Sequence, residues 1–327
     1  RGQLPPAEVD RIRRAAWKGQ VEAAERHDDP GVFTAFVGSE WTAHEDAANL
    51  HRNLVYGSAR VPDLPVSAAV VVRPRDLWRE LAAQRAAGMP VIAISHNGNL
   101  SDGWMYGELD ADGNPIDAEY AALRSAVEPL AEIFQVKGSS ETHPSLSAAD
   151  ELAGFEIHEV LLGSRDTRGS AAGSYAREGL LRGLRFEQEQ GFNPYAFGVV
   201  GSTDGHNASS PIEEDAHFGK LPVLDGTAAI RLGRALIGPA ALNRGRGWNG
   251  GGLAGIWAEE NTRASLFAAM ERRETFATSG PRISVRSFGG WGFEPDAHRR
   301  RDGVRVGYAR GVPMGGELGA APAGRSP

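Results

Sequence analysis

Val91-Ile-Ala-Ile-Ser-His-Asn-Gly-Asn99 is a short apolar run that ends abruptly in a polar turn. Val91 to Ile94 is near-continuous rather than alternating, which is the pattern of a strand buried on both faces. Ser95-His96-Asn97-Gly98-Asn99 then sets an imidazole directly beyond the strand end. Four further runs share this character: Phe33-Thr-Ala-Phe-Val37, Asn53-Leu-Val-Tyr56, Leu130-Ala-Glu-Ile-Phe-Gln-Val136 and Phe197-Gly-Val-Val200.

Helical patterns lie between these runs. Glu8 to Arg26 precedes the first. A second opens at Pro74, near N1, and runs to about Ala87 before Gly88 stops it. Asp117 to Ala126 is a third. Ser174 to Gln190 is amphipathic, with Ser174 as N-cap and Gly191 as its stop, and Asn261 to Arg273 is a fifth. Strand and helix alternate, so the sequence predicts an α/β fold with parallel strands. No Gly-rich dinucleotide fingerprint or P-loop follows any strand, and no internal repeat is present. Residues 207–257 are Gly-rich and weakly periodic, which predicts an insertion or long loop near the site. Beyond Gly280, Ile283-Ser-Val-Arg286 and Val304-Arg-Val-Gly-Tyr308 predict antiparallel strands. The chain then divides into residues 1–280 and the start of a β-rich C-terminal element, 281–327.

Composition narrows the chemistry. The 327 residues carry a formal charge of -7, which argues against nucleic acid as a partner. There is no cysteine, so disulfides, thiolate metal sites and cysteine nucleophiles are all removed. Any metal must be held by imidazole and carboxylate. No apolar run reaches the roughly 18 residues needed to span a bilayer. A soluble chain is expected, and its compartment, cytoplasm or periplasm, is left open. Lys18, Lys137 and Lys220 are the only lysines in an arginine-rich chain, which reads as codon bias.

Ligand-type residues follow almost every strand. Gly38-Ser-Glu40-Trp41 comes after the first run, and His51 stands beside the second. His96 follows the third, Lys137-Gly-Ser-Ser-Glu141-Thr-His143 the fourth, and Gly201-Ser-Thr-Asp204-Gly-His206 the fifth. Strand C-termini form the active face of barrels and open parallel sheets, and His, Asp and Glu are the types that bind zinc, manganese or iron. His96, Asp204 and His206 are the strongest candidates, with Glu40 next. For His51 the direction is open, because it precedes its strand. His44, Glu45 and Asp46 read as a solvated loop, and His27, His158, His217 and His298 as surface or loop residues. Glu213-Glu-Asp215 reads as a solvated acidic loop.

The order of these residues resembles the PHP (polymerase and histidinol phosphatase) metallohydrolases: Glu after one strand, His at the next, Ser-His-x-Gly-Asn after a third and Gly-Ser-x-Asp-x-His after a last. Asn49-Leu-His-Arg-Asn53, Ser95 to Ser101, Lys137 to Pro144, Ser174-Tyr-Ala-Arg-Glu178, Trp257 to Arg263 and Thr278-Ser-Gly-Pro-Arg282 resemble a large bacterial PHP-like branch. That branch is known mainly as a domain-of-unknown-function family. The likeness runs from about Trp17 to Met314. It implies a distorted (β/α)7 barrel that holds two or three divalent ions (Mn, Zn or Fe) in the full-length protein. It implies Glu40 as a bridging carboxylate, with His51, His96, Asp204 and His206 as further ligands, Glu40 and Asp204 serving catalysis. Metal-activated water would attack a small anionic phosphoester. Lys137, Glu141, His143, Arg177 and Arg282 are candidate substrate contacts.

The family's His-x-His and Asp-His motifs on its first two strands have no counterpart. The chain is therefore expected to begin after those strands and to show an incomplete barrel of about five. Two alternatives stand beside the hydrolase: a non-catalytic PHP-like module with a structural or decayed metal site, and an amidohydrolase-type enzyme acting on C–N bonds. Substrate identity and oligomeric state are left open.

Overall fold

The computed structural model describes residues 5–164, 166–206, 220–221 and 249–324. Strand β1 (Val37–Trp41) is followed by a small hairpin, β2 (His44–Glu45) and β3 (Ala48–Asn49), and then by β4 (Arg52–Tyr56). β5 is Val91–Ser95, β6 Leu130–Gln135, β7 Gly138–Ser139 and β8 Gly198–Gly201. These strands, the β2–β3 hairpin excepted, form one sheet in the order β1-β4-β5-β6-β7, with β8 on β6. β9 (Leu253–Ile256) and β10 (Thr275–Thr278) make an antiparallel ribbon alongside β8, where Thr275 Oγ1 donates to the Val199 carbonyl at 2.9 Å.

The sheet is mixed, not parallel as expected. β4 runs antiparallel to both β1 and β5, while β5, β6 and β8 are parallel. Continuous apolar runs report burial on two faces and say nothing of direction, so the sequence could not reveal the reversal. Among the described residues no pairing joins β1 to the β9–β10 ribbon, and no closed barrel forms.

The first strand begins four residues later than expected. Val32 and Phe33 donate to the Asp29 carbonyl in a tight turn, which leaves Phe33 on the surface and starts the strand at Val37. Glu40 therefore lies inside β1 rather than after it.

Helices α1 (Pro6–His27), α2 (Pro74–Ala86), α3 (Ala118–Val127) and α4 (Ala176–Gln190) fall close to the predicted segments. α3 is capped by Asp117, whose side chain accepts from Tyr120 N–H at 2.7 Å. Gly191 closes α4 in the left-handed conformation. Ser174 does not cap α4. Its hydroxyl is turned away, accepting from Gly103 N–H at 2.8 Å and donating to the Ser170 carbonyl at 2.6 Å, and Tyr175 takes the N-cap position. α5 (Arg263–Glu271) is capped by Thr262.

The two sheet faces are covered differently. Val37, Trp41, Leu54, Tyr56, Val91 and Ala93 point to a large core shared with Trp17, Leu77, Trp78, Tyr120 and Phe186 of α1 to α4. The alternate residues Val55, Ile92, Ile94 and Leu130 point the other way, onto Phe267 and Met270 of α5. The larger core contains a fully buried ionic cluster. Glu128 accepts from Arg124 at 2.7 Å, from Arg52 at 3.1 Å and from Trp78 Nε1 at 2.7 Å. Both guanidiniums also lie over aromatic rings, Arg124 at 4.8 Å from the Tyr195 centroid and Arg52 at 5.9 Å from that of Trp78.

The C-terminal region departs from expectation. Ile283 to Arg286 forms no strand, and Val304 to Tyr308 lies within a helix, α6 (Gly303–Arg310). Val304 and Tyr308 are spaced i,i+4, so an apparent two-residue period over five positions also fits one helical face. Gly307 packs beneath the Phe288 ring, where a side chain would collide. The only strands in this region, among the described residues, are the two-residue pair β11 (Phe288–Gly289) and β12 (Val312–Pro313). Of the predicted 207–257 insertion, 207–219 and 222–248 lie outside the described residues, while 253–256 is β9. No helix among the described residues is long and apolar enough to cross a membrane.

Candidate metal centre

The face covered by α5 is apolar at its base and polar at one end. Alternation continues upward from Ile92 and Ile94 to His96, from Val55 through Asn53 to His51, and from Leu130 to Glu132. Because β4 runs backwards, the residue before it lies next to the residue after β5. The His96 amide donates to the His51 carbonyl at 3.1 Å. Glu40 enters the same space from β1, and Asp204 from the turn after β8.

Donor atoms of Glu40, His51 and His96 all lie within 4.8 Å of one another, a group able to hold a metal ion. Glu40 Oε1 is 2.7 Å from His51 Nδ1 and 3.6 Å from His96 Nε2, and Asp204 Oδ1 is also 3.6 Å from that nitrogen. His96 Nε2 is buried and has no hydrogen-bond partner. A buried polar atom without a partner costs on the order of 1–3 kcal/mol, so its persistence next to two carboxylates points to a cation as its natural neighbour.

The electrostatics agree. Burial would raise the Glu40 pKa, yet the hydrogen bond from His51 and the nearby His96 outweigh it and bring it to about 2. Burial also opposes ionisation of Asp204, but His96, Lys137 and Lys220 hold its carboxyl well below the usual range. Burial depresses His51, which favours the neutral imidazole that a metal requires. Burial pulls His96 down as well, but the adjacent Glu132 carboxylate outweighs it and raises the ring's pKa. The position calls for a cation, whether a proton or a metal ion.

The other predicted residues distribute unevenly. Asp204 adopts a left-handed backbone, φ 54°, and its Oδ2 accepts from Lys137 and Lys220 Nζ and from Gln135 Nε2 at 3.0 Å. His206 is more exposed, and its Nδ1 turns back to the Asp204 carbonyl at 2.9 Å, outside the three-residue group. Glu141 pairs with Arg177, which also binds Asp150 at 2.7 Å, and these line a separate cavity of about 310 Å³ with Phe155 and Pro281. His143 is held by Glu159 at 3.1 Å and Ser145 at 2.7 Å. Arg282 donates to Thr278 Oγ1 at 3.0 Å.

Residues 3–327 match the model of a family described as "Protein of unknown function (DUF3604)". The chain belongs to that family. No curated protein and no solved structure matches it.

Three residues beside this candidate ligand group escape a reading by strand ends. His44 is exposed, as expected, yet its Nε2 lies 3.1 Å from His51 Nε2. Glu132 lies behind His96, with Oε2 at 3.0 Å from Nδ1. A carboxylate inside an otherwise apolar strand was the available signal. Lys220 sits in the weakly periodic segment, and its rarity among so many arginines was the clue.

Proposed function

We propose that the chain carries part of a divalent-metal centre of the PHP hydrolase type, acting on phosphoesters. The observation that carries this reading is the convergence of Glu40, His51 and His96 around a buried, unpartnered His96 Nε2. These three residues would hold the ion, with Asp204 Oδ1 directed at the same space. When bound, a dication supplies Lewis acidity that lowers the pKa of water and stabilises charge on an ester oxygen. An imidazole–carboxylate set accepts manganese, zinc or iron. Lys137 and Lys220 place two ammonium groups beside the centre, where a small anionic ester would be neutralised. Metal analysis of the purified full-length protein tests the reading. Stoichiometric transition metal and metal-dependent hydrolysis of an aryl phosphate are expected, and a protein free of transition metal overturns it. A generic amide hydrolysed in place of the phosphate would move the reading to C–N bonds.

One observation favours a second reading. Asp204 Oδ2 is already compensated by two ammonium groups, as it would be where the ion is structural and the module non-catalytic. Metal that raises the melting temperature without any hydrolysis of phosphate, ester or amide would establish it.

A further inference from the structure

His96 is the ligand whose orientation matters most, because its Nε2 faces both Glu40 and Asp204 at 3.6 Å. Its other nitrogen, Nδ1, is 3.0 Å from Glu132 Oε2. Glu132 is almost completely buried and lies on the side of the imidazole away from Glu40, outside the ligand group itself. All its other partners are donors: Asn97 N–H at 3.3 Å on Oε1, and the Ser202 hydroxyl on Oε2. A backbone N–H only donates, and an ionised carboxylate only accepts. The carboxylate is thus arranged as an acceptor for three donors, one of which is Nδ1–H.

We propose that Glu132 is a positioning residue of this centre: it fixes His96 as the Nδ1–H tautomer and turns the Nε2 lone pair towards Glu40 and Asp204. The assignment rests on the metal reading given above. A carboxylate behind a ligating imidazole holds the ring, sets the tautomer and raises the basicity of the ligating nitrogen. The sheet supplies the geometry. β5 and β6 are parallel neighbours paired through Ile94–Leu130 and Ser95–Ala131, and alternation puts Glu132 on the face to which His96 points. Asn97, left-handed at φ 57°, turns its amide back onto the same carboxylate.

Two measurements on the full chain test this. Long-range ¹⁵N NMR of the metal-free chain, with the pH raised until the His96 nitrogen shifts are those of a neutral ring, reads the tautomer directly. The Nδ1–H form is expected at His96, and the Nε2–H form overturns the proposal. Calorimetric titration with zinc then compares wild type with Glu132→Ala and Glu132→Gln. The alanine variant should bind about 10–100-fold more weakly, with the tautomer preference lost. The glutamine variant, which can still accept from Nδ1–H, should keep the tautomer and lie between. Should the alanine variant fail to fold, the glutamine variant decides, and affinity within about twofold of wild type in the folded variant overturns the proposal alone. A wild-type chain that takes up no zinc overturns the metal reading, and the proposal with it.

Discussion

His96 donates its backbone N–H to the His51 carbonyl at 3.1 Å, so a histidine that follows its strand stands beside one that precedes its own. Their rings are roughly parallel, with centroids 6.2 Å apart. Both side chains then reach Glu40, and the first expectation concerns what happens when either is removed.

His96→Ala and His51→Ala should each weaken zinc or manganese binding by at least about 100-fold, since each deletes a direct ligand rather than a supporting group. Wild type should melt at a higher temperature with added metal, because a ligand that binds only the folded state adds about 2.7 kcal/mol at 100 times its dissociation constant. Thermal shift with and without metal checks this. An equal metal-induced rise in both variants and wild type would remove these residues from the centre.

Asp204→Ala should abolish metal-dependent hydrolysis of an aryl phosphate, as should His96→Ala. Asp204 is the carboxylate that also anchors Lys137 and Lys220, so its loss disperses the cationic pair. Retained turnover in either variant excludes that residue from the mechanism.

Acid should find a weak point on the face of the sheet opposite the candidate metal ligands. Burial would raise the Glu128 pKa, but Arg124 and Arg52 outweigh it and hold the carboxyl below its ordinary value. A carboxyl whose pKa is depressed in the folded state adds stability above its unfolded pKa, and that stability is lost as pH falls through the folded one. Urea midpoints should therefore drop as the pH is lowered below the ordinary carboxylate range. Glu128→Gln leaves two buried guanidiniums without a counter-charge and should cost about 3–5 kcal/mol at neutral pH. Its midpoint should also change less than that of wild type between about pH 5 and pH 3. Equal acid sensitivity in the two proteins would refute the assignment.

Asp117→Ala should cost about 1 kcal/mol, the usual value of a helix N-cap. The hydrogen bond to Tyr120 N–H is the one it removes from α3. Denaturant unfolding provides the measurement, and a change indistinguishable from zero would show that solvent replaces the cap without loss.

The sequence revealed the elements better than their arrangement. Val91 to Ser95 is a strand and His96 lies just beyond it, because an apolar run cut off by Ser-His-Asn-Gly has few other solutions. The reversed direction of β4 was hidden, and with it the reason His51 reaches the centre. Glu40 joins the group of possible ligands by alternation within β1 and not, as expected, from a strand end. Glu132 was concealed by its apolar neighbours, since a run read for average hydrophobicity hides the one position that alternation turns towards polar partners. The helix at Gly303–Arg310 was misread because a short segment cannot distinguish a period of two from a spacing of four.

His51 and Arg52 are neighbours in the chain but belong to opposite faces of the sheet, as do Ser95 and His96. A slip of β4 by one residue against β5 would exchange these assignments. Arg52 would enter the polar end beside Glu40, losing the buried carboxylate of Glu128, while the His51 imidazole would be driven between Trp41 and Trp78. Both sides of the sheet would lose charge compensation in the same move. The misregistered sheet is thus penalised twice, and uptake of an ion by the finished protein would serve as a reporter that β4 had found its true alignment.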